Sequence, residues 1–168
     1  NASLQQEVAG RQQIEEEMEA AELRYRTVAD FTHDWEYWET PEHELCYCSP
    51  SCERITGYAR GEFIANPKLI EQIIHPEDAG LWQQHREASL VVREPRIVQF
   101  RICRKDGSLC WLEHAGQPVL GNDGVYLGIR ASNRDITERK EKDLQNQRLR
   151  DELANIARVT TAGQLAAS

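Results

Sequence analysis

The chain reads as an α+β protein: a five-stranded antiparallel sheet with short helices on one face, flanked by N- and C-terminal coiled-coil helices. Three observations carry that reading. Elements run in the order strand, strand, short helices, then three strands, and two strong hairpin signals, Asp106-Gly107 and Asn122-Asp123-Gly124, join the last three. Charged, proline-free stretches lie outside this core at both ends. An antiparallel sheet with helices packed on one side is the layer solution to that order.

Residues 4 to 28 contain no proline, and Ile14, Met18, Ala21, Tyr25 and Val28 recur at 4-3-4-3 spacing, which makes one heptad seam. Glu15, Glu16, Glu17, Glu19, Glu22, Arg24 and Arg26 surround it as a wet face. Such a helix packs either on its own domain or on the same helix of a second chain. From Phe31 the pattern changes. His33 to Glu39 alternates and is aromatic, Pro41 to Glu44 is turn-like, and Leu45 to Cys48 supplies the second strand of a hairpin. Ser49-Pro50 opens a short helix that Gly57 stops. Short helical pieces follow at 59–64 and 67–74, and a longer helix runs from Pro76-Glu77-Asp78 to about Val92.

Strands are expected over Arg96 to Arg104, Ser108 to Leu120 and Val125 to Arg134. From Ile136 the chain is charged and helical, and Leu149, Leu153 and Ile156 continue a 4-3 seam. Both arms can therefore pair across a homodimer.

Charge narrows the function classes. The net charge of −8 divides as −3 over residues 1–28, −6 over 29–137 and +1 over 138–168. An acidic core without a Lys/Arg stripe disfavours nucleic acid. No apolar run approaches the ~20 residues of a membrane span, so this chain is expected to make no membrane contact, although a parent protein could be membrane-anchored. Five cysteines, an odd number, fit a reducing cytoplasm better than a secreted disulfide framework.

Several of these cysteines sit together. Cys46, Cys48 and Cys52 form a C-x-C-x3-C cluster without a usual zinc or iron–sulfur spacing, so a core role is expected and no metal site. Alternation places Cys46 and Cys48 on one face of their strand. If Asp106-Gly107 is a two-residue turn, Cys103 stands opposite Cys110, close enough to be a redox pair. Reduced thiols are the expected state in cytosol.

Four segments, together with the element order, resemble a known family: Ser49-Pro50-Ser51-Cys52-Glu53-Arg54-Ile55-Thr56-Gly57-Tyr58, then His75-Pro76-Glu77-Asp78, then Arg104-Lys105-Asp106-Gly107-Ser108 with Trp111, and Asp135-Ile136-Thr137-Glu138-Arg139-Lys140 after the last strand. In this order, over about residues 25 to 140, they look like a PAS domain with its PAC segment. Arg148 to Ser168 resembles the start of the dimerisation and phosphoacceptor helix of bacterial sensor histidine kinases, in which the phosphorylated histidine would follow within a few residues.

The resemblance implies a division into an N-terminal helix (1–28), a PAS/PAC sensor domain (29–137) and a signalling helix (138–168). It implies that this piece performs no reaction, while a parent chain phosphorylates its own histidine and passes the group to a response regulator. Asp135, Ile136 and Thr137 would couple sheet to exit helix. The concave sheet face would enclose a cavity, with Trp35, Tyr47, Phe63, Phe100, Ile102, Trp111, His114 and Ile129 as candidate lining and a small-molecule ligand as one occupant. His33 and His114 could be neighbours there.

Haem and flavin are not expected. His85 lies on the long helix at an offset from Pro76-Glu77 that does not match haem-binding relatives, and Pro67 to Gln72 carries no photoadduct cysteine where the light-oxygen-voltage branch has one. The same exit motif would also fit another output, such as a diguanylate cyclase or a chemoreceptor, or a ligand-free module that only dimerises and spaces its neighbours.

Overall fold

The computed structural model describes residues 2–91 and 94–166, with side chains over 7–89 and 94–159. Val92, the expected end of the long helix, and Ala167-Ser168 at the end of the exit helix lie outside the described residues. Helix α1 (Ala2–Asp30) leads into β1 (Trp35–Glu39) and β2 (Leu45–Cys48). Three short helices follow, α2 (Ser51–Thr56), α3 (Arg60–Ala65) and α4 (Leu69–Gln72), and then a 3-10 turn over Pro76–Asp78 opens α5 (Ala79–Val91). Strands β3 (Arg96–Cys103), β4 (Leu109–Leu120) and β5 (Tyr126–Asp135) complete the sheet, and α6 (Thr137–Ala166) leaves it. The sheet is antiparallel with order β2-β1-β5-β4-β3, so the strand that feeds α6 sits at its centre.

Strict alternation drives one face inward. Trp35, Tyr37 and Glu39 of β1 are buried, as are Val98, Phe100 and Ile102 of β3 and Cys110, Leu112 and His114 of β4. The short helices and α5 cover that face with Cys52, Ile55, Phe63, Ile70 and Trp82. Trp35 packs on Phe63 with ring centroids 4.8 Å apart, and Trp82 on Phe100 at 5.0 Å. Arg96 is the last β3 residue paired with β4, opposite Gly116, so Pro118 lies beyond β3 and costs the ladder nothing on that side.

Two devices fix the layers, one tying a helix to the sheet and one packing two of its strands together. The Asp78 carboxylate accepts the backbone N–H of Arg101 at 2.7 Å and its guanidinium at 2.6 and 2.9 Å, which ties the entrance of α5 to β3. Gly128 has φ +115 and lies so close to β1 that a Cβ there would stand 2.0 Å from the carbonyl oxygen of Glu39. Only glycine permits that approach.

The β3–β4 hairpin differs from expectation. Gly107 N–H bonds to the Arg104 carbonyl and Arg104 N–H to that of Ser108, leaving a three-residue loop with Gly107 at φ +84. The extra residue slips the register by one, so Cys103 pairs with Leu109 and Cys110 with Ile102. Cys110 is buried and Cys103 faces the other side, so these two are not a cross-strand pair; all five cysteines are free thiols. Cys46 and Cys48 also part. Cys46 is the extra residue of a bulge opposite Trp38 and Glu39, which leaves Cys46 exposed and Cys48 buried.

Candidate functional site

Beneath α5 the inner sheet face encloses a cavity of about 30 Å³, walled by Tyr37 and Glu39 of β1, His114 and Gly116 of β4, Ile129 of β5, and Trp82, His85, Arg86 and Ser89 of α5. Thr40, Pro41, His43 and Tyr126 complete it. That volume is room for one or two waters. Of the eight candidate lining residues, His114 and Ile129 reach it. Trp35, Phe63, Phe100 and Ile102 are buried in the surrounding core instead.

Tyr47 and Trp111 lie on the opposite, outer face of the sheet. Tyr47 pairs with Trp38 and its hydroxyl donates to Asp30 at the end of α1 (3.0 Å), while the Arg60 guanidinium lies over its ring. Trp111 lies between Arg101 and Lys140, whose cationic groups stand 5.5 and 4.8 Å from its ring. Alternation excluded Trp111 from the start, because positions 111 and 114 of one strand cannot face the same way. His33 is not beside His114; it precedes β1, where its carbonyl accepts from Arg54.

Four wall residues come from α5, and the sequence carries their signal as helical periodicity. Trp82, His85, Arg86 and Ser89 recur at i, i+3, i+4 and i+7, the spacing of one helix face.

A chain of hydrogen bonds fixes His114. Asn133 donates its amide N–H to the Trp35 carbonyl (3.0 Å), which turns its Oδ1 toward His114 Nδ1 at 2.8 Å. His114 therefore carries its proton on Nδ1 and presents the Nε2 lone pair to the cavity. The His85 ring stands perpendicular to it, centroids 5.1 Å apart. Burial pushes the His114 pKa down to about 4, Asn133 opposes it, and repulsion from Arg86, and from His85 when that ring is protonated, adds to the fall. Burial, then Arg96, lowers His85 as well. Both imidazoles are neutral at pH 7.

At the mouth, the buried Glu39 carboxylate accepts from Arg86 at 2.8 Å and lies 2.5 Å from His43 Nδ1. Arg86 also pairs with Glu71 at 3.1 Å. His43 is held at φ +66, a left-handed conformation that costs a non-glycine residue of order 1 kcal/mol. Among the described residues no group of three or more His, Cys, Asp or Glu side chains could hold a metal ion.

The exit joint lies two and three residues along the same central strands. Ile136 is buried, and its N–H donates to the Trp111 carbonyl (2.9 Å). The Trp111 N–H donates to Thr137 Oγ1 (2.9 Å). Asp135 caps α6 by accepting the Thr137 N–H (2.9 Å) and is gripped by Arg104 (2.8 Å), which also donates to the Ile55 carbonyl. Burial raises the Asp135 pKa, but Thr137 and Arg104 together hold it below the usual carboxylate range. One turn on, Arg139 reaches Glu113 (3.0 Å). Register connects joint and cavity, since Leu112 faces Asp135 and His114 faces Asn133.

A sheet of this order, short helices and α5 covering one face and an exit helix bound to its central strands define an α+β domain of PAS architecture. The PAS fold family (PAS_3) matches residues 45–132, just over half of the chain, and the chain belongs to that family. A blue-light-activated histidine kinase of Brucella ovis is 27% identical over 108 residues, covering 64% of this chain and 21% of that protein. The chain spans about a fifth of the length of the curated relatives it matches. Among solved structures, a sensory box histidine kinase/response regulator from Burkholderia thailandensis superposes with TM-score 0.59 at 23% identity, covering 79% of this chain and 98% of that one. The N-terminal domain of a diguanylate cyclase with PAS/PAC sensor from Marinobacter aquaeolei gives 0.58 at 16%, covering 64% and 98%. Both share the fold.

Proposed function

We propose that this chain is the signal-sensing and dimerisation module of a cytoplasmic two-component sensor histidine kinase, coupling a signal at the sheet to kinase output through α6. The observation that carries this reading is the joint: Asp135, Ile136 and Thr137 bond α6 to β4 by backbone and side chain at once. Such a joint transmits a shift of the sheet as a rotation or register change of the helix, rather than letting the helix swing freely. Two states separated by a few kcal/mol suffice.

Dimerisation would place the exposed Ile14, Met18, Tyr25 and Val28 of α1, with Ala21 between them, and Leu149, Leu153 and Ile156 of α6 in paired seams. The parent would phosphorylate its own histidine from ATP and hand the phosphoryl group to a response regulator. The Brucella relative supports a kinase output; its light response is not carried over, because Pro67 to Gln72 holds no cysteine. Among the described residues no helix is long and apolar enough to cross a membrane.

Light scattering on the purified chain should give a dimer at micromolar concentration, and a monomer would overturn the paired-helix mechanism. In the parent, Asp135→Ala or Thr137→Ala should change autophosphorylation about fivefold or more, the usual scale of a coupling energy. Unchanged output would remove the coupling role. Output of a cyclic dinucleotide instead of phosphohistidine would move the module to the cyclase reading.

A further inference from the structure

Cys48 and Cys52 are side chains that the coupling mechanism leaves unused, and they meet where β2 ends and α2 begins. Both are buried, at 0% exposure, in the same core cluster. The Cys52 thiol hydrogen-bonds to the Cys48 sulfur, which also accepts the Trp35 indole N–H at 3.3 Å. The turn between them is tight: Pro50 is in the right-handed helical region and the Cys52 N–H donates to the Ser49 carbonyl (3.2 Å). That turn brings Cys52 back beside Cys48. Cys46 is exposed at its bulge and Cys103 faces away from Cys110, so neither belongs to the pair.

The surroundings give the two sulfurs different roles. The hydrogen bond from Cys52, then the Trp35 N–H and the Arg60 guanidinium, pull the Cys48 pKa below the usual thiol value although burial opposes them. Cys52 moves the other way, because its proton is the one donated to Cys48, and burial adds to the rise. Cys48 is thus the nucleophile and Cys52 the resolving thiol. Burial slows access without closing it. β2 is a four-residue strand at the sheet edge and α2 a six-residue helix, and short peripheral elements open locally far more often than a whole domain unfolds. An oxidant as small as hydrogen peroxide needs no larger opening.

We propose that Cys48 and Cys52 form a reversible dithiol site oxidised by hydroperoxides. The Cys48 thiolate attacks one peroxide oxygen, the O–O bond breaks, and the second oxygen leaves with a proton as water, or as the alcohol of an alkyl hydroperoxide, so that Cys48 becomes a sulfenic acid. The Cys52 sulfur then attacks the Cys48 sulfur; the S–O bond breaks and the hydroxyl departs with the Cys52 proton as water, which closes the disulfide. The two thiols together lose two electrons and the peroxide gains them. A dithiol reductant reopens the bond by exchange. The consequence for output rests on the sensor reading: α2 carries the Ile55 carbonyl that Arg104 holds while gripping Asp135, so a bond at the start of α2 is felt at the exit.

The test treats the purified chain with hydrogen peroxide, quenches with catalase, alkylates in denaturant and digests with trypsin. Peptide 27–54 contains Cys46, Cys48 and Cys52 and no other cysteine. It should carry a single alkyl label, on Cys46, and be lighter by two hydrogens, whereas dithiothreitol before alkylation should restore labels on all three. Cys46→Ser, at an exposed site, should close the bond as fast as the wild type. Cys52→Ser keeps a hydroxyl donor beside Cys48 and should stop at a sulfenic acid that dimedone labels on Cys48; Cys48→Ser should slow the loss of thiols by roughly tenfold or more. Labels on all three cysteines after peroxide, a bond that includes Cys46, or dimedone on Cys46 alone in Cys52→Ser overturns the proposal. Amide exchange of residues 135–141 is compared between the oxidised and reduced chains. A Cys48–Cys52 bond with those amides unchanged upholds the dithiol site and breaks the sensor reading, and a change at both upholds both.

Discussion

The two long helices join the sheet in different ways. At the exit, Ile136 is buried, Asp135 and Thr137 tie α6 to β5, β4 and Arg104, and Arg139 adds an ion pair one turn on. At the entrance, α1 ends on an exposed Phe31, and its links are the Tyr47–Asp30 hydrogen bond, a 3.9 Å Arg60–Asp30 pair and local turns through Thr32. A bonded, half-buried joint transmits displacement, whereas exposed pairs in water contribute little and yield readily. The asymmetry makes the exit the stiff side and the entrance the soft one.

Stability should show that difference most strongly at the apolar anchors. Ile136→Ala is expected to cost about 3 kcal/mol through lost burial and the cavity left behind, while Phe31→Ala, with its side chain in water, should stay within about 0.5 kcal/mol. Urea denaturation of the two variants decides it. A Phe31 cost above about 1 kcal/mol would mean that the entrance is anchored too.

Acid should act through the buried histidines of the cavity before it reaches the exit joint. His114 titrates at about 4 in the folded chain and about 6.5 when unfolded. Above pH 6.5 both states hold it neutral. As pH falls from 6.5 toward 4 only the unfolded chain takes the proton, so stability is lost across that window and levels off below it. At pH 5 the loss amounts to about 2 kcal/mol, to which His85, lowered in the same direction, adds. The Asp135 and Glu113 carboxylates are depressed, so their contribution goes only at lower pH. Urea midpoints at pH 7 and pH 5 should therefore fall for the wild type and much less for His114→Gln. Equal falls would take His114 out of the account.

What could be read beforehand follows the same divide between local and tertiary signals. Turn chemistry at Asp106-Gly107, the proline-opened helix at His75-Pro76 and the Asp-Ile-Thr exit are local, and they placed the strands to within a residue or two. Cys103 and Cys46 were misplaced because one extra residue, in a three-residue loop and in a bulge, reverses every face beyond it. The Asp78–Arg101 tie and the His114–Asn133–Trp35 relay join positions 19 to 98 residues apart, and no spacing rule announces them.

Capping at the exit sets an intermediate scale. Asp135→Ala removes the acceptor for the Thr137 N–H and the partner of Arg104, and should cost about 1 kcal/mol. Amide exchange across 137–141 should accelerate, with 27–31 unchanged.

The smallest effect belongs to the entrance. Tyr47→Phe deletes one hydrogen bond to Asp30 at a partly exposed site and leaves the ring in place beneath Arg60, so global stability should fall by about 0.5 kcal/mol or less. Its local consequence should be clearer, because that bond is the best-formed side-chain link between the end of α1 and the sheet. Exchange of amides 27–31 should speed up while 135–140 stay protected, the mirror image of Asp135→Ala. If Tyr47→Phe instead loosens both ends, the helices are coupled through the sheet, and the entrance is as much a part of the transmission as the exit.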